Sequence, residues 1–401
     1  MRITMICNEL PFPPSHGGLV DVWRRLCALK SAGVRIQLVC WGGGAAGAPQ
    51  PDHLDKVREV VEGLYVFPFE QTWSSRIKRA GRLWRLPWRV ASRNLRAAEF
   101  HSLLEAQRTF GSQAVWLDAL YGGEVARRLA HELKLPLFYR SHNIEHRYTL
   151  DQARLARTTR EKFQWTLSVF NLRRYEHGIL RESSAFFDIS VDDLRYWEKH
   201  GFTSGHWLPP LVDESFAKRL SAPRKDPPQF DVGYLGNLFM PNNVQGLVWF
   251  LEKVAPLLLD ACPGLRLFIA GSQPSDRIRA ALAARPEVTL IENPRDAVTV
   301  LRDAQVLINP VFAGSGVNIK SVEMLFSPAE LVCTPQGLAG LPDEVRRCFR
   351  ISQDECGFAS AILDGLNSAA TGHTAESENR AVARSYFRAK RIHDILPLLF
   401  R

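Results

Sequence analysis

The chain contains no run of eighteen apolar residues, so no segment is long enough to cross a bilayer as a helix. Its amino terminus, MRITMICNELPFPP, has one arginine and reaches acidic Glu9 without an apolar core region, which excludes a signal peptide and reads as a first strand. No CxxC pair occurs. The seven cysteines, at positions 7, 27, 40, 262, 333, 348 and 356, are scattered and mostly flanked by apolar residues. They read as small core residues in a reducing cytoplasm. Acidic side chains are missing from residues 76–96 (RIKRAGRLWRLPWRVASRNLR), which carry eight basic residues with Trp84 and Trp88 among them. A nucleic acid would accept such a patch, but no recognised nucleic-acid-binding module accompanies it. Two readings remain: a solvated basic helix pair broken at Pro87, or an element lying on an anionic membrane surface, with tryptophans at headgroup depth.

The 401 residues are too many for one compact core, and two domains are expected, at 1–205 and 206–375, with 376–401 as a closing helix. The formal charge of +9 is unevenly spread: residues 1–205 hold 30 Lys and Arg against 21 Asp and Glu, and residues 206–401 hold 21 of each.

Ile3 to Cys7 reads as a strand, followed by a Pro-, Ser- and Gly-rich loop from Pro11 to Gly18. A helix follows through Val22, Leu26 and Leu29, then a strand from Val34 to Trp41. Gly42 to Gly47 matches GxGxxG after a strand, but Pro49 and Pro51 stand where its helix would start, and the segment reads as a linker. Strands are expected at Ala114–Leu117, Leu135–Tyr139 and Ala185–Ile189, with one long helix over Arg157–Arg181. His142-Asn143-Ile144-Glu145-His146 formally fits the H-x-x-E-H zinc signature. Zinc ligation would need both histidines on one helix face, whereas His142 falls in a loop just past a strand. Pro209 to Pro228 suits a hinge. From Phe230 onward strands and helices alternate, which argues a doubly wound parallel sheet with ligands at the carboxyl ends of its strands.

The densest signal is Gln305 to Phe326, QVLINPVFAGSGVNIKSVEMLF. A buried strand, Val306–Ile308, feeds the loop Gly314-Ser315-Gly316-Val317-Asn318, and Ile319, Val322 and Phe326 then recur at helical spacing. A glycine loop opening a helix presents unpaired N–H groups to an anion such as phosphate. Lys320 adds a mobile cation, and Glu323, one turn further in, can accept hydrogen bonds from a sugar diol.

GSGVNIKSVEML, followed by ELVCTPQGLAGL, resembles the donor-site signature of the family 4 glycosyltransferases of GT-B fold. Glu323 matches the second glutamate of the Glu-x7-Glu motif, and Gly337 and Gly340-Leu341 match the glycines of the later loop. Ser315 occupies the position of the first glutamate. The resemblance implies an α/β GT-B fold, with two facing Rossmann-like doubly wound domains and an interdomain cleft, and a terminal helix crossing back to the first domain. It implies transfer of a sugar from a nucleotide-diphosphate sugar to an acceptor hydroxyl with retention, without a divalent metal or other cofactor. By position, Gly17 and Gly18 match the family's Gly-Gly pair near donor phosphates and acceptor, and His142 its histidine beside the donor sugar. Asn237, with Asn242 or Asn243, stands where the family places phosphate-holding cations. Gly271, and Glu292 with Asn293, fall on the nucleotide-facing strand ends. Lys320 is then the phosphate cation and Glu323 the ribose contact. With the basic first half, the implied enzyme is cytoplasmic and peripheral on the inner face of the cytoplasmic membrane, acting on a saccharide acceptor that is lipid-linked. A UDP-sugar epimerase or phosphorylase on the same fold, and a metallopeptidase using HNIEH, are the rivals.

Overall fold

The computed structural model describes residues 1–42, 49–69, 79–156, 158–224, 226–314, 316–370 and 378–399. The chain divides into two compact units, Met1–Pro209 with Lys390–Arg401, and Pro210–Ala389.

In the first unit, β1 (Arg2–Cys7), β2 (Arg35–Gly42), β3 (Gly63–Pro68), β4 (Ala114–Asp118), β5 (Leu137–Ser141), β6 (Ala185–Asp188) and β7 (Gly205–Trp207) form a seven-stranded parallel sheet. Its order is β3-β2-β1-β4-β5-β6-β7. Helices cover both faces of such a sheet, so its central strands are near-continuous apolar runs: Ile3, Met5, Ile6, Leu38, Val39, Val115 and Leu117 are all buried.

The second unit repeats the plan with β8 (Phe230–Asn237), β9 (Leu267–Ser272), β10 (Val288–Glu292), β11 (Ala304–Asn309), β12 (Glu330–Cys333) and β13 (Arg350–Ile351). Its order is β10-β9-β8-β11-β12-β13. In each sheet the chain reverses its direction of winding beside the first strand, between β1 and β4 and between β8 and β11. The carboxyl ends of those strands are where ligands of doubly wound sheets bind. At one such end β8 and β9 run so close that a Cβ on Gly271 would lie 1.7 Å from the Gly236 carbonyl oxygen. Gly271→Ala should therefore cost about 3 kcal/mol or more in urea unfolding, the upper end of overpacking effects. Gly178→Ala, on a helix with open space around it, should stay within about 1 kcal/mol.

Several expected elements differ. The helix anticipated over Arg157–Arg181 is two, α1 (Thr159–Val169) and α2 (Leu172–Glu182), separated at Asn171, whose φ of 59° breaks the helical path. The Asn171 Nδ2 donates to the carbonyls of Leu83 (2.7 Å) and Trp84 (2.9 Å), so the break serves to hold a neighbouring loop. Pro51 does not prevent a helix: it occupies the first turn of Pro51–Arg58, where its missing N–H costs nothing. Residues 43–47 of the GxGxxG match lie outside the described residues. The last segment is not one helix. Described residues there form Glu378–Ser385, a 3-10 turn at Ala389–Asp394 and a short helix at Leu396–Leu399.

Candidate functional site

In the first unit the carboxyl ends of β4 and β5 carry a buried ionic network. Asp118 ends β4, and its Oδ2 accepts from Arg25 Nε (3.0 Å), Arg25 Nη2 (2.6 Å) and Trp116 Nε1 (3.2 Å). Its Oδ1 meets His142 Nε2 at 2.8 Å. Asp21, four residues before Arg25 on the helix Gly17–Ser31, accepts from Arg25 (2.7 Å) and from Arg140 of β5 (3.2 Å). Arg25 and Asp118 have fully buried side chains, while 15% of the His142 side chain is open. Burial by itself would raise the Asp118 carboxyl. Arg25, the His142 hydrogen bond and Arg140 outweigh it and hold the group well below the usual carboxylate range. An ionised Asp118 favours the tautomer with the hydrogen on Nε2 of His142 and leaves Nδ1 as the ring nitrogen not bonded to it. Gly17 and Gly18 are not loop residues but the first two of the Gly17–Ser31 helix, at the end of the loop that follows β1.

The rest of HNIEH turns elsewhere. Glu145 starts the helix Glu145–Leu155, and Glu176 of α2 accepts from the backbone N–H of Glu145 (2.8 Å) and of His146 (3.1 Å). His146 Nδ1 contacts the same carboxylate at 2.6 Å. His142 and His146 thus serve different carboxylates, and the zinc reading fails on geometry. Among the described residues no group of three or more His, Cys, Asp or Glu is placed to hold a metal ion.

In the second unit β11 delivers the loop 310–318, in which Gly314 (φ 146°) and Gly316 (φ 67°) take conformations that side chains rarely adopt. Ser315 lies outside the described residues. Val317 and Asn318 complete the loop, and Asn318 precedes the short helix Ile319–Met324. A buried clasp ties this loop to the next one: Asn309 Nδ2 donates to Ser321 Oγ (2.8 Å), which donates to the Gly337 carbonyl (2.7 Å). A Cβ on Gly337 would lie 2.4 Å from Cys333 Sγ, so the approach demands glycine. Gln336 Nε2 reaches across to the Gly314 carbonyl (2.9 Å).

Lys320 is not the mobile cation expected. Its Nζ donates to Tyr234 Oη and to Asn243 Oδ1, both at 2.7 Å, and lies 4.5 Å from the Tyr234 ring centroid. Burial pushes its ammonium down to about 7, against the opposing pull of Cys333 and Glu323. Asn243, one of the two asparagines matched to the second cation position, accepts from Lys320, and its Nδ2 donates to the Asn237 carbonyl (2.8 Å). The Asn237 side-chain oxygen accepts from the N–H groups of Phe239 (2.8 Å) and Met240 (3.0 Å) and fixes the turn after β8. Glu323 is half-buried beside Lys320. Glu292, at the end of β10, forms an exposed ion pair with Arg279 (2.9 Å).

Among the described residues, Asn237, Gly271, Glu292, Gly314 and Gly316 lie at or just beyond the carboxyl ends of β8, β9, β10 and β11, Gly337 follows β12, and Gly17, Gly18 and His142 follow β1 and β5 of the first unit. The buried partners Asp21, Arg25, Asp118 and Arg140 escaped the sequence reading. For Asp118 and Arg140 the signal was a charged residue at the carboxyl end of an apolar strand, in AVWLD and LFYRS; Asp21 and Arg25 lie on a helix, at i, i+4 spacing.

Residues 229–368 match the family model described as Glycosyl transferases group 1. This segment, fewer than half of the residues, contains both clasped loops of the second unit, and the two doubly wound sheets give the chain a GT-B fold. More particularly, the chain is 24% identical over 371 residues, 90% of each chain, to an "Uncharacterized 44.6 kDa protein in cps region" of Klebsiella pneumoniae. Its fold is similar to the sucrose-phosphate synthase of Thermosynechococcus elongatus, at 16% identity, a TM-score of 0.65 and coverage of 100% and 98%. It is likewise similar to Anabaena HepE in complex with UDP-glucose, at 13% identity, a TM-score of 0.64 and coverage of 98% and 97%.

Proposed function

We propose that the protein transfers a sugar from a nucleoside-diphosphate sugar to a saccharide acceptor, with retention at the anomeric carbon, in the synthesis of a cell-surface polysaccharide. The carrying observation is Lys320, on the matched segment, whose Nζ is held by Tyr234 of β8 and by Asn243. HepE's structures with UDP and UDP-glucose support a nucleotide-sugar donor. The cps-region relative supports the polysaccharide. Lys320 and backbone N–H groups of the loop 310–318 would meet the diphosphate, Glu323 the ribose hydroxyls, and His142 Nδ1 the sugar. With those groups neutralising the leaving diphosphate, no divalent metal is required, and activity should survive a chelator. A panel of nucleotide sugars tested by thermal shift checks the donor. At least one should raise the unfolding temperature, and a flat panel overturns the reading.

Glu323→Gln should weaken that nucleotide sugar by about 1.5–3 kcal/mol, the worth of one hydrogen bond to a charged group. Unchanged calorimetric affinity in the folded variant would remove Glu323 from the site.

The acceptor in this proposal is lipid-linked, met at the inner face of the cytoplasmic membrane. Arg76 and Lys78 lie outside the described residues. Of the remaining cations in the basic segment, Arg93 is half-buried and donates to the Asn8 carbonyl (3.2 Å), and Arg96 pairs with Glu99 (2.6 Å). Arg79 and Arg89 pack on the Trp88 and Trp165 rings, at 5.7 and 4.4 Å. Arg82 and Arg85 are exposed and flank Trp84, which is 75% exposed on the loop that Asn171 pins. The membrane contact therefore narrows to Arg82, Trp84 and Arg85. At about 1 kcal/mol per cation near an anionic surface, Arg82/Arg85→Glu should abolish co-sedimentation with anionic liposomes, and added salt should weaken the wild type. Equal sedimentation of both proteins leaves a soluble acceptor.

A further inference from the structure

In the second unit an anchored turn meets a soft loop through one side chain, Gln336. The turn Pro335–Leu338 that carries it is held at both ends. Thr334 caps it, accepting from the Gly337 N–H (3.3 Å) and donating its own hydroxyl to the Val311 carbonyl. Pro335 fixes the first φ of the turn, and the Gly337 carbonyl accepts from Ser321 Oγ (2.7 Å). The loop opposite is built on glycine. Gly314 (φ 146°) and Gly316 (φ 67°) have no Cβ to restrict them, so nothing in their own chemistry fixes where the Gly314 carbonyl points. Gln336 Nε2 reaches across from the anchored turn and donates to that carbonyl at 2.9 Å.

Gly314 also abuts the turn that leads to Lys320. A Cβ added to it would lie 3.4 Å from Asn242 Nδ2, and the next residue, Asn243, accepts from Lys320 Nζ. Ser321, directly after Lys320, is the side chain that grips the Gly337 carbonyl, one residue past Gln336. The direction of the Gly314 carbonyl matters in this setting. A carbonyl oxygen is the negative pole of its peptide and repels phosphate oxygens, whereas backbone N–H groups attract them. A glycine left to itself can turn either pole toward an anion. Gln336 keeps the oxygen on the side of its own turn.

We propose that Gln336 is a positioning residue for the donor diphosphate, latching the Gly314 carbonyl so that the glycine loop keeps the shape that receives the anion; the assignment rests on the nucleotide-sugar reading above. The position calls for a donor rather than for any polar group, because its partner is a carbonyl. A single hydrogen bond between neutral groups at the surface adds little to global stability. Its effect lies where the chain is softest, in the fraction of molecules whose loop is ready to bind. Apparent affinity scales with that fraction, so releasing the latch weakens binding while the chemistry that follows is unchanged.

The test is Gln336→Met in the full chain, which keeps the length of the side chain and removes its donor. Gln336 is half-buried, and an unchanged unfolding temperature confirms that the variant folds. The probes are inorganic pyrophosphate, the nucleotide sugar that stabilises the wild type, and the corresponding nucleoside, each titrated calorimetrically. The variant should bind pyrophosphate and the nucleotide sugar about three- to tenfold more weakly, the population shift that one neutral hydrogen bond supports. KM for the nucleotide sugar should rise by the same factor with kcat nearly unchanged. The nucleoside, which has no phosphate, should bind both proteins alike. Amide hydrogen exchange across residues 310–318 should quicken in the unliganded variant, while β11 and β12 exchange as in wild type. An equal loss for the nucleoside, or unchanged exchange in the loop, would overturn the assignment. If a nucleotide sugar binds wild type and variant equally, the latch falls and the donor reading stands. If pyrophosphate binding weakens as expected while no nucleotide sugar binds, the donor reading falls and the latch stands. No binding of either to the wild type overturns both.

Discussion

Lys320→Ala is expected to lower turnover by on the order of 10²–10³, the usual loss for removing one group aimed at charge developing in the transition state. Binding of the nucleotide sugar should suffer less, because the loop N–H groups remain. The structure adds a pH signature. Tyr234 and Asn243 are neutral partners, so they satisfy the ammonium's hydrogen bonds without supplying a counter-charge, and burial pushes its pKa down to about 7. In the empty protein the lysine is then largely neutral above that pH. An arriving diphosphate adds negative charge to the weak pull of Glu323 and raises the pKa, so binding takes up a proton. Affinity should fall as pH rises through 7 and beyond, and calorimetry in buffers of different ionisation enthalpy should show proton uptake at pH 8. For stability the sign follows from the same depression. Between about 7 and the ordinary lysine value the unfolded chain binds a proton that the folded one does not, so this group makes stability rise with pH across that window. Wild-type turnover in Lys320→Ala, with no proton uptake in either protein, would place the phosphates elsewhere.

Asp118→Asn is expected to destabilise the first unit by about 3–5 kcal/mol, because it leaves the buried Arg25 without the carboxylate it grips at two nitrogens. The linkage is specific. Asp118 is held below its ordinary range, so its contribution is fully present above about pH 4, the unfolded value, and is lost as pH falls toward the folded one. The difference between wild type and variant in urea unfolding should therefore be large at pH 7 and shrink below pH 4. Turnover, measured at a temperature where the variant is folded, should also drop, since an amide no longer dictates which nitrogen of His142 carries the hydrogen. Stability loss without a change in turnover would make the network purely structural and detach His142 from the reaction.

How much of this was legible in the residues varies with the range of the interaction. β11 and its glycine loop were readable because an apolar run, a turn composition and a helical spacing are local. The β/α alternation from Phe230 was readable for the same reason, and with it the parallel sheet. Short edge strands were missed: β7, with three residues, and β13, with two, have too little sequence to show a period. The split at Asn171 was missed because its cause is distant, the carbonyls of Leu83 and Trp84.

The sequence by itself determined two doubly wound α/β units, the family resemblance of residues 305–341 and the position of the candidate residues at strand ends. Each of these follows from patterns confined to a few turns of chain. What only the tertiary structure decided is which groups meet: Lys320 with Tyr234 and Asn243, His142 with Asp118, and Arg89 with Tyr121 and Trp165. The lysine and histidine partners come from other strands or from helices after other strands, brought together because a parallel sheet gathers the carboxyl ends of its strands along one edge. That gathering is a property of topology. It converted a presumed mobile cation into a fixed one near neutrality, and a formal zinc signature into two histidines with separate carboxylates.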